Sequence, residues 1–111
     1  MIGIYKITSP SGKIYIGQSV NIEKRFRQYK NYKCKEQIRL YRSLNKYTVE
    51  KHIFEVIEKC NIEELNERER YWQIFYNCIG KNGLNCQITN DKESKRILSN
   101  ETKNKTSLIY V

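Results

Sequence analysis

Two short segments near the N-terminus constrain the fold of this chain most strongly. Residues 3–8 (GIYKIT) and 13–18 (KIYIGQ) are rich in Ile and Tyr, and both alternate in polarity. Alternation with a period of two is typical of β-strands that have one buried face. The intervening Ser9-Pro10-Ser11-Gly12 carries Pro and Gly where a tight turn needs them. The sequence therefore predicts an N-terminal β-hairpin.

Helical and strand patterns follow the hairpin along the chain. Asn21 can cap a first helix, and Asn61 with Glu64 forms the N-x-x-E pattern of a capping box at the start of another. The predicted elements are helices over 22–30 and 36–46, a strand over 52–58, a helix from 61 to about 76 and a strand over 84–89. The order β-β-α-α-β-α-β predicts an α+β fold, with a small, mainly antiparallel sheet of three to four strands flanked by helices.

The length allows one domain of ordinary size, since the chain has 111 residues. We expect this domain to span residues 1–91. Residues 92–111 are polar and charged with little periodicity, so we expect a tail or linker there. No apolar run approaches the roughly 18 residues of a membrane-spanning helix. Lys6 interrupts the short apolar run at the N-terminus, so we expect no signal peptide, no membrane partner and an intracellular location.

The four cysteines lack the spacing of a metal site. Cys34, Cys60, Cys78 and Cys86 form no C-x2-C or C-x4-C pair, and the single histidine, His52, lies apart from them. Zinc sites draw their ligands from such short knuckles. The spacing favours free thiols that pack as small apolar side chains over zinc ligands or disulfides.

Positive charge is concentrated between residues 24 and 46. This window holds nine Lys and Arg residues against Glu36 alone, and therefore carries most of the formal net charge of +9. A basic block with interleaved aromatic residues is typical of a surface that binds a phosphate backbone, whereas a merely solvated face usually mixes both signs. The candidate nucleic-acid contacts are Lys24, Arg27, Lys30, Lys33, Lys35, Arg39 and Arg42.

A carboxylate interrupts the apolar stripe of the last predicted helix. The stripe follows steps of three and four residues, the spacing of one helix face, and comprises Ile62, Leu65, Glu69, Trp72 and Tyr76. A buried glutamate is costly unless it is paired or binds a cation. From the pattern alone, a metal ligand and an ion pair with a basic side chain such as Arg25 are equally supported interpretations of Glu69.

Taken together, these residues resemble the GIY-YIG nuclease family. Gly3-Ile4-Tyr5 and Tyr15-Ile16-Gly17 match its two name-giving motifs, and Arg25 (within EKRF), Glu69 (within NERERYW) and Asn85 (within GLN) follow in family order. The resemblance covers residues 3 to about 91. The segment RSLNKY at 42–47 and the hairpin are most similar to the homing-endonuclease branch, found in introns and free-standing phage genes.

The resemblance implies hydrolysis of a DNA phosphodiester by water, with one divalent ion (Mg²⁺ or Mn²⁺) and no small-molecule cofactor. Glu69 would be the metal ligand, and Arg25 would grip the scissile phosphate. Asn85 would orient Glu69 or a neighbouring tyrosine through its amide. The same resemblance implies action inside a prokaryotic or viral host cell.

Three tyrosines would complete the site. By analogy with the family, Tyr5 is the favoured general base, and Tyr15 and Tyr29 would organise phosphate and water. Some homing enzymes carry a histidine where this chain has Tyr29, and Lys35 is the nearest counterpart of a second histidine. Because Arg25, Lys35 and a metal would favour phenolate, we expect the pKa of these tyrosines to fall below the usual value of about 10.

Other functions compete with a homing endonuclease. They are a restriction-type or structure-specific repair nuclease, an inactive DNA-binding module of the same fold, and an RNA- or ribosome-associated basic protein. All motif positions of the family are occupied, which favours an active enzyme, and charge alone does not account for Glu69 in the helix stripe. Strand cleavage by a homodimer, and an additional DNA-binding domain in a longer parent protein, are both left open.

Overall fold

A computed structural model describes residues 1–89. Its six main elements are β1 (Gly3–Thr8), β2 (Ile14–Ser19), α1 (Ile22–Lys30), α2 (Ile38–Tyr47), β3 (Ile53–Lys59) and α3 (Leu65–Tyr76). The strands form one antiparallel sheet in the order β2-β1-β3. The predicted α+β fold with a small antiparallel sheet is therefore confirmed, and β2 and β3 are its two edges.

The hairpin forms as predicted, with Thr8 paired to Ile14 at its closed end. The Ser9 N–H donates to the Lys13 carbonyl at 2.9 Å, and the Gly12 N–H donates to the Ser9 carbonyl at 2.9 Å. Gly12 has a φ of +87°, a conformation that glycine adopts without the steric cost of a Cβ. The turn fixes the register, and the register pairs Tyr5 of the first motif with Gly17 of the second.

The predicted strand over 84–89 is wrong. Instead, the Leu84 N–H donates to the Ile14 carbonyl at 2.9 Å, and the side chain of Asn85 bonds both backbone polar groups of Ile16 at 2.8 Å each. The outer edge of β2 is thus covered by one backbone contact and one amide side chain. Because the Asn85 amide already bonds the outward-facing N–H and carbonyl of Ile16, residues 84–89 do not pair with β2 as a fourth strand.

The last helix begins as its capping pattern predicts, and four of the five positions of its predicted stripe face the core: Leu65 and Glu69 are buried, and Trp72 and Tyr76 are half-buried. One 3₁₀ turn at Ile62–Glu64 precedes the helix, and within it the Glu64 carboxylate accepts a hydrogen bond from the Asn61 N–H at 3.0 Å. Ile62 is 46% exposed, so the predicted stripe fails at its first position. The fully buried positions of α3 follow steps of four residues and are Leu65, Glu69 and Gln73.

The sheet separates two cores. On one face, the odd-numbered side chains of β1, such as Tyr5 and Ile7, pack with Tyr29 of α1 and Leu40 of α2. On the other face, the core is Ile4, Ile16, Leu65 and Cys78, under α3. Since side chains alternate across a strand, each motif contributes to both faces.

All four cysteines are free thiols, as the spacing predicted, but the predicted packing fails for Cys86, which is exposed. No helix within residues 1–89 is long and apolar enough to cross a membrane. The predicted tail at 92–111 lies outside the described residues.

Candidate active site

Three tyrosines from three elements meet on the α1 side of the sheet. Tyr5, Tyr15 and Tyr29 have ring centroids 5.9 to 6.3 Å apart, and the hydroxyls of Tyr5 and Tyr29 are 2.5 Å from each other. The Tyr29 hydroxyl also interacts with Tyr15 and with the positive charge of the Arg25 guanidinium, both of which favour its phenolate. The four-residue step between Arg25 and Tyr29 places both on the same side of α1. The structure thus brings these four predicted site residues together.

Gly17 makes room for Tyr5. The two residues are cross-strand partners, and a Cβ on Gly17 would lie 2.4 Å from both the Cζ and the hydroxyl oxygen of Tyr5. Gly3 has a different steric reason, because a Cβ there would lie 2.1 Å from the Glu58 carbonyl oxygen of β3. Both motif glycines therefore permit close approaches, and the one at Gly17 sets the position of a site tyrosine.

Burial raises the pKa of all three tyrosines, contrary to the fall expected from the sequence. For Tyr5 and Tyr15, desolvation is the largest cause, and the positive charge of Arg25 only partly opposes it. Burial also raises the pKa of Tyr29, but hydrogen bonds from its neighbours favour its phenolate and make the rise smaller. Lys35 is exposed and does not line the cavities at the tyrosine cluster. The resting cluster is therefore neutral.

Glu69 of α3 is 4% exposed and is held by two neutral donors. The Gln18 amide donates to its Oε1 at 2.7 Å, and the Thr89 hydroxyl donates to the same oxygen at 2.6 Å. No residue within 1–89 donates a hydrogen bond to Oε2. Glu69 and Arg25 form no ion pair, so the alternative interpretation of Glu69 as an ion-pair partner is wrong for this pair.

Two adjoining cavities connect Glu69 with the tyrosines at the outer edge of β2. The first, of 290 Å³, is bounded by Tyr5, Tyr15, Arg25 and Glu69. The second, of 350 Å³, shares Tyr15 and Glu69 with the first and extends to Asn85. Because Tyr15 and Gln18 point to opposite faces of β2, the site wraps around the strand edge. A carboxylate, a guanidinium and two phenols thus face one solvent-accessible space.

Asn85 acts on the backbone of β2. Its amide oxygen accepts from the Ile16 N–H, and its amide nitrogen donates to the Ile16 carbonyl. The Cys78 thiol donates to the same amide oxygen at 3.1 Å. The amide therefore bonds neither Glu69 nor a tyrosine hydroxyl. It fixes the strand between Tyr15 and Gly17.

The seven predicted nucleic-acid contacts do not form one surface. Arg39 and Arg42 of α2 line a cavity beside the β2 edge. Lys30 of α1 instead lies with its Nζ 5.7 Å from the ring centroid of Phe54, on β3 at the opposite edge of the sheet. Five members of the set are exposed and line none of these three cavities, namely Lys24, Arg27, Lys30, Lys33 and Lys35.

Sequence reasoning missed four polar residues at the site. Gln73 is 2% exposed, follows Glu69 by one helix turn and accepts from the Thr89 N–H at 2.8 Å; its spacing from Glu69 was a usable signal. Gln18 follows the second motif directly, but nothing in its pattern predicts a bond to α3. Gln37 lines both site cavities. It lies in a predicted helix and Thr89 in a predicted strand, but neither pattern indicates a contact with the site.

Comparisons with known proteins agree with this geometry. The sequence profile of the GIY-YIG catalytic domain matches residues 1–85. A structure described as the catalytic domain of homing endonuclease I-TevI is 30% identical, with a TM-score of 0.66 over 78% of this chain and 99% of the other. A mutant form of the catalytic domain of intron endonuclease I-TevI gives 27% identity and a TM-score of 0.66 over 80% and 96%. No curated protein sequence is matched. The motifs, the profile match and the structural similarity agree, and the chain therefore belongs to the GIY-YIG family and carries that family's nuclease catalytic domain.

Proposed function

We propose that the protein is a divalent-metal-dependent DNA endonuclease of the homing type, which hydrolyses a phosphodiester with a water activated by Tyr5. The observation that carries this proposal is the position of Glu69. One of its oxygens accepts two hydrogen bonds, the other accepts none from residues 1–89, and Glu69 lines a cavity together with Arg25 and Tyr5. The similarity to structures of the homing endonuclease I-TevI supports the same assignment.

The donor set around Glu69 fits a hard cation such as Mg²⁺ or Mn²⁺. Residues 1–89 contain no group of three or more His, Cys, Asp or Glu side chains that could enclose a metal. Mg²⁺ commonly binds through one or two carboxylates, with water and substrate phosphate completing its shell. Oε2 of Glu69, which accepts no hydrogen bond from residues 1–89, would supply such a carboxylate oxygen. A divalent ion bound there would supply positive charge that stabilises the additional negative charge developing on the phosphate in the transition state and favours the anionic forms of groups nearby.

Arg25 and the tyrosines would serve the substrate side of the cavity. The guanidinium can donate two parallel hydrogen bonds to the phosphate and offset the charge that develops in the transition state. Tyr5 would accept the proton of the attacking water. Because burial keeps its pKa above 10 in the resting protein, we infer that Tyr5 becomes a competent base only when substrate and cation add positive charge to the cavity.

In the proposed reaction, the water oxygen forms a bond to phosphorus and the bond to the leaving sugar oxygen breaks. Tyr5 would first release its own hydroxyl proton to solvent when substrate and cation bind, and its phenolate would then take one proton of the water while the other stays on the new phosphorus-bound oxygen. The leaving sugar oxygen takes a proton from solvent. Tyr29 supports Tyr5 through the short hydroxyl contact. Tyr15, half-buried at the cavity wall, would hold the water or a phosphate oxygen. Asn85 would act as a positioning residue through the backbone of β2.

The test is cleavage of supercoiled plasmid at low salt, with Mg²⁺, Mn²⁺ or EDTA. Wild-type protein should convert the plasmid to nicked or linear forms only when a divalent ion is present. Glu69→Gln and Arg25→Ala should abolish cleavage while the circular-dichroism spectrum and the melting temperature show a folded protein. Glu67→Gln is the matched control, because Glu67 is an exposed carboxylate two positions away on the same helix, and it should cut like wild type.

The outcomes separate the competing functions. Cleavage that resists EDTA or survives Glu69→Gln would contradict the metal assignment. Binding to plasmid without cleavage, followed by cutting of a branched duplex, would favour a structure-specific repair nuclease. Binding without cutting of any DNA would favour an inactive module of the fold. Nicked product alone would favour sequential action of monomers, and linear product would favour a homodimer or two coupled sites.

The proposed biological setting is a mobile element or a phage that acts inside a prokaryotic or viral host cell. Two features support it. The solved structures it resembles are described as those of an intron or homing endonuclease, and the four free thiols suit a reducing compartment.

A further inference from the structure

A cavity lined by cations lies beside the proposed active site. Its charged lining side chains are Lys13 from the hairpin turn and Arg39, Arg42 and Lys46 from α2, and its volume is 190 Å³. No carboxylate lines it, and within residues 1–89 none of these four cations forms an ion pair. A concave surface with four positive charges and no counter-charge attracts a polyanion.

This cavity adjoins the active site near the edge of β2. Leu84 lines both it and the cavity that reaches Glu69. Gln37, the N-cap residue of α2, lines both active-site cavities. The helix therefore begins at the active site, and its cationic side chains lead away from it.

The spacing of the cations suits a phosphate backbone better than a single small anion. Arg39, Arg42 and Lys46 follow steps of three and four residues and so share one face of α2. At a rise of 1.5 Å per residue they extend over about 10 Å. The phosphates of one DNA strand advance about 3.4 Å per nucleotide along the duplex axis, so the span corresponds to about three nucleotides.

We propose that Lys13, Arg39, Arg42 and Lys46, here called the α2 track, hold the DNA backbone phosphates that flank the scissile phosphate. The proposal rests on the nuclease function proposed above. It assigns the contacts with the DNA backbone to the side of the molecule that carries α2. It adds Lys13 and Lys46 to the contacts predicted from sequence.

The outer cations of α1 lie outside this path. Lys30 is at the β3 edge, beside Phe54. Arg27 is two positions from Arg25, a turn of about 200° around the helix axis, and therefore points away from the site. Lys24 and Lys30 lie to either side of Arg27 on the same outward face of α1. We therefore exclude these three from the backbone contacts.

The experiment compares two triple variants that each remove three positive charges. Both are made in the Glu69→Gln background so that DNA stays intact. Arg39→Gln/Arg42→Gln/Lys46→Gln removes most of the α2 track, and Lys24→Gln/Arg27→Gln/Lys30→Gln is the matched control on α1. Fluorescence anisotropy with a labelled DNA duplex gives the dissociation constant at several salt concentrations. Because Arg39 is half-buried, the exposed pair Arg42→Gln/Lys46→Gln is also measured.

Removing one cation that binds a phosphate should reduce the slope of log affinity against log salt by about 0.9. We expect a reduction of about 2 to 3 for the α2 triple variant and about 2 for the exposed pair, with little change for the α1 triple variant. Equal reductions for both triple variants, or a larger one for α1, would overturn the α2 track.

The plasmid assay separates this proposal from the nuclease proposal. If wild-type protein cuts no DNA but the α2 triple variant still has the reduced slope, the track stands and the nuclease function falls. If wild-type protein cuts and the α2 triple variant binds with an unchanged slope, the track alone is wrong.

Discussion

Gly17 has no side chain, and this allows the Tyr5 ring to occupy its position in the site. A Cβ at this position would lie 2.4 Å from the Tyr5 hydroxyl oxygen, so Gly17→Ala must displace the ring or the strand. A displacement of about 1 Å in a site can lower a rate about 100-fold. We therefore expect at least that loss in plasmid cleavage, with a loss of about 1–3 kcal/mol in the free energy of unfolding.

Gly12→Ala is the control for this prediction. Gly12 has nothing within 4 Å of an added Cβ, but its φ of +87° makes alanine unfavourable. The substitution should therefore lower the free energy of unfolding by about 1 kcal/mol and leave the cleavage rate of the folded protein unchanged. A Gly17→Ala variant that cuts at the wild-type rate would show that the position of Tyr5 does not limit the reaction.

Thr89 is a second residue that we expect to affect cleavage indirectly, through its hydrogen bond to Glu69. Its hydroxyl donates a hydrogen bond to Glu69 Oε1 at 2.6 Å, and Glu69 is only 4% exposed. Loss of a donor to a metal ligand typically costs 10- to 100-fold in metal affinity, so we expect about that loss for Thr89→Val. The readouts are the Mg²⁺ dependence of cleavage and direct Mn²⁺ binding. Thr89→Ser keeps the donor and should restore both, whereas equal losses in the two variants would contradict this role.

Among the elements, the outer edge of β2 is where sequence reasoning and structure differ most. The hairpin, three helices and third strand were predictable because their periodicity and caps are local signals. Residues 84–89 have the composition of a strand, but the Asn85 amide already bonds the Ile16 N–H and carbonyl at 2.8 Å each. That contact joins residues 69 positions apart, and no local pattern encodes it. Gln18 and Thr89 escaped prediction for the same reason, since their partner Glu69 lies on another element.

The edge contact predicts a local effect of Asn85→Ala. The variant leaves the two Ile16 backbone groups without partners in a buried place, which should cost about 1–3 kcal/mol. Amide hydrogen exchange at Ile16 should accelerate much more than exchange at Ile4, in the neighbouring strand β1. Cleavage should fall together with the order of β2. Uniform acceleration across the whole sheet would show a general loss of stability instead of a released edge.

The molecule as a whole should lose stability at alkaline pH because its tyrosine cluster is buried. Burial raises the pKa of Tyr5, Tyr15 and Tyr29, so the folded chain retains protons that the unfolded chain releases above about pH 10. The free energy of unfolding then decreases as pH rises through 10, by up to about 1.4 kcal/mol per pH unit for each tyrosine, and the contribution is fully present below that pH. Urea unfolding between pH 8 and about 11 measures this slope.

Phenolate absorbance tests whether the three clustered tyrosines cause the pH dependence of the free energy of unfolding. Of the nine tyrosines, the three in the cluster should ionise only as the chain unfolds. Tyr29→Phe removes the hydroxyl that Tyr5 and Arg25 both approach, and it should make the slope shallower. Tyr71→Phe removes an exposed hydroxyl on α3 and should leave it unchanged. Ionisation of all nine before unfolding would contradict a neutral resting cluster, and Tyr5 could then act as a base without the added charge of substrate and cation.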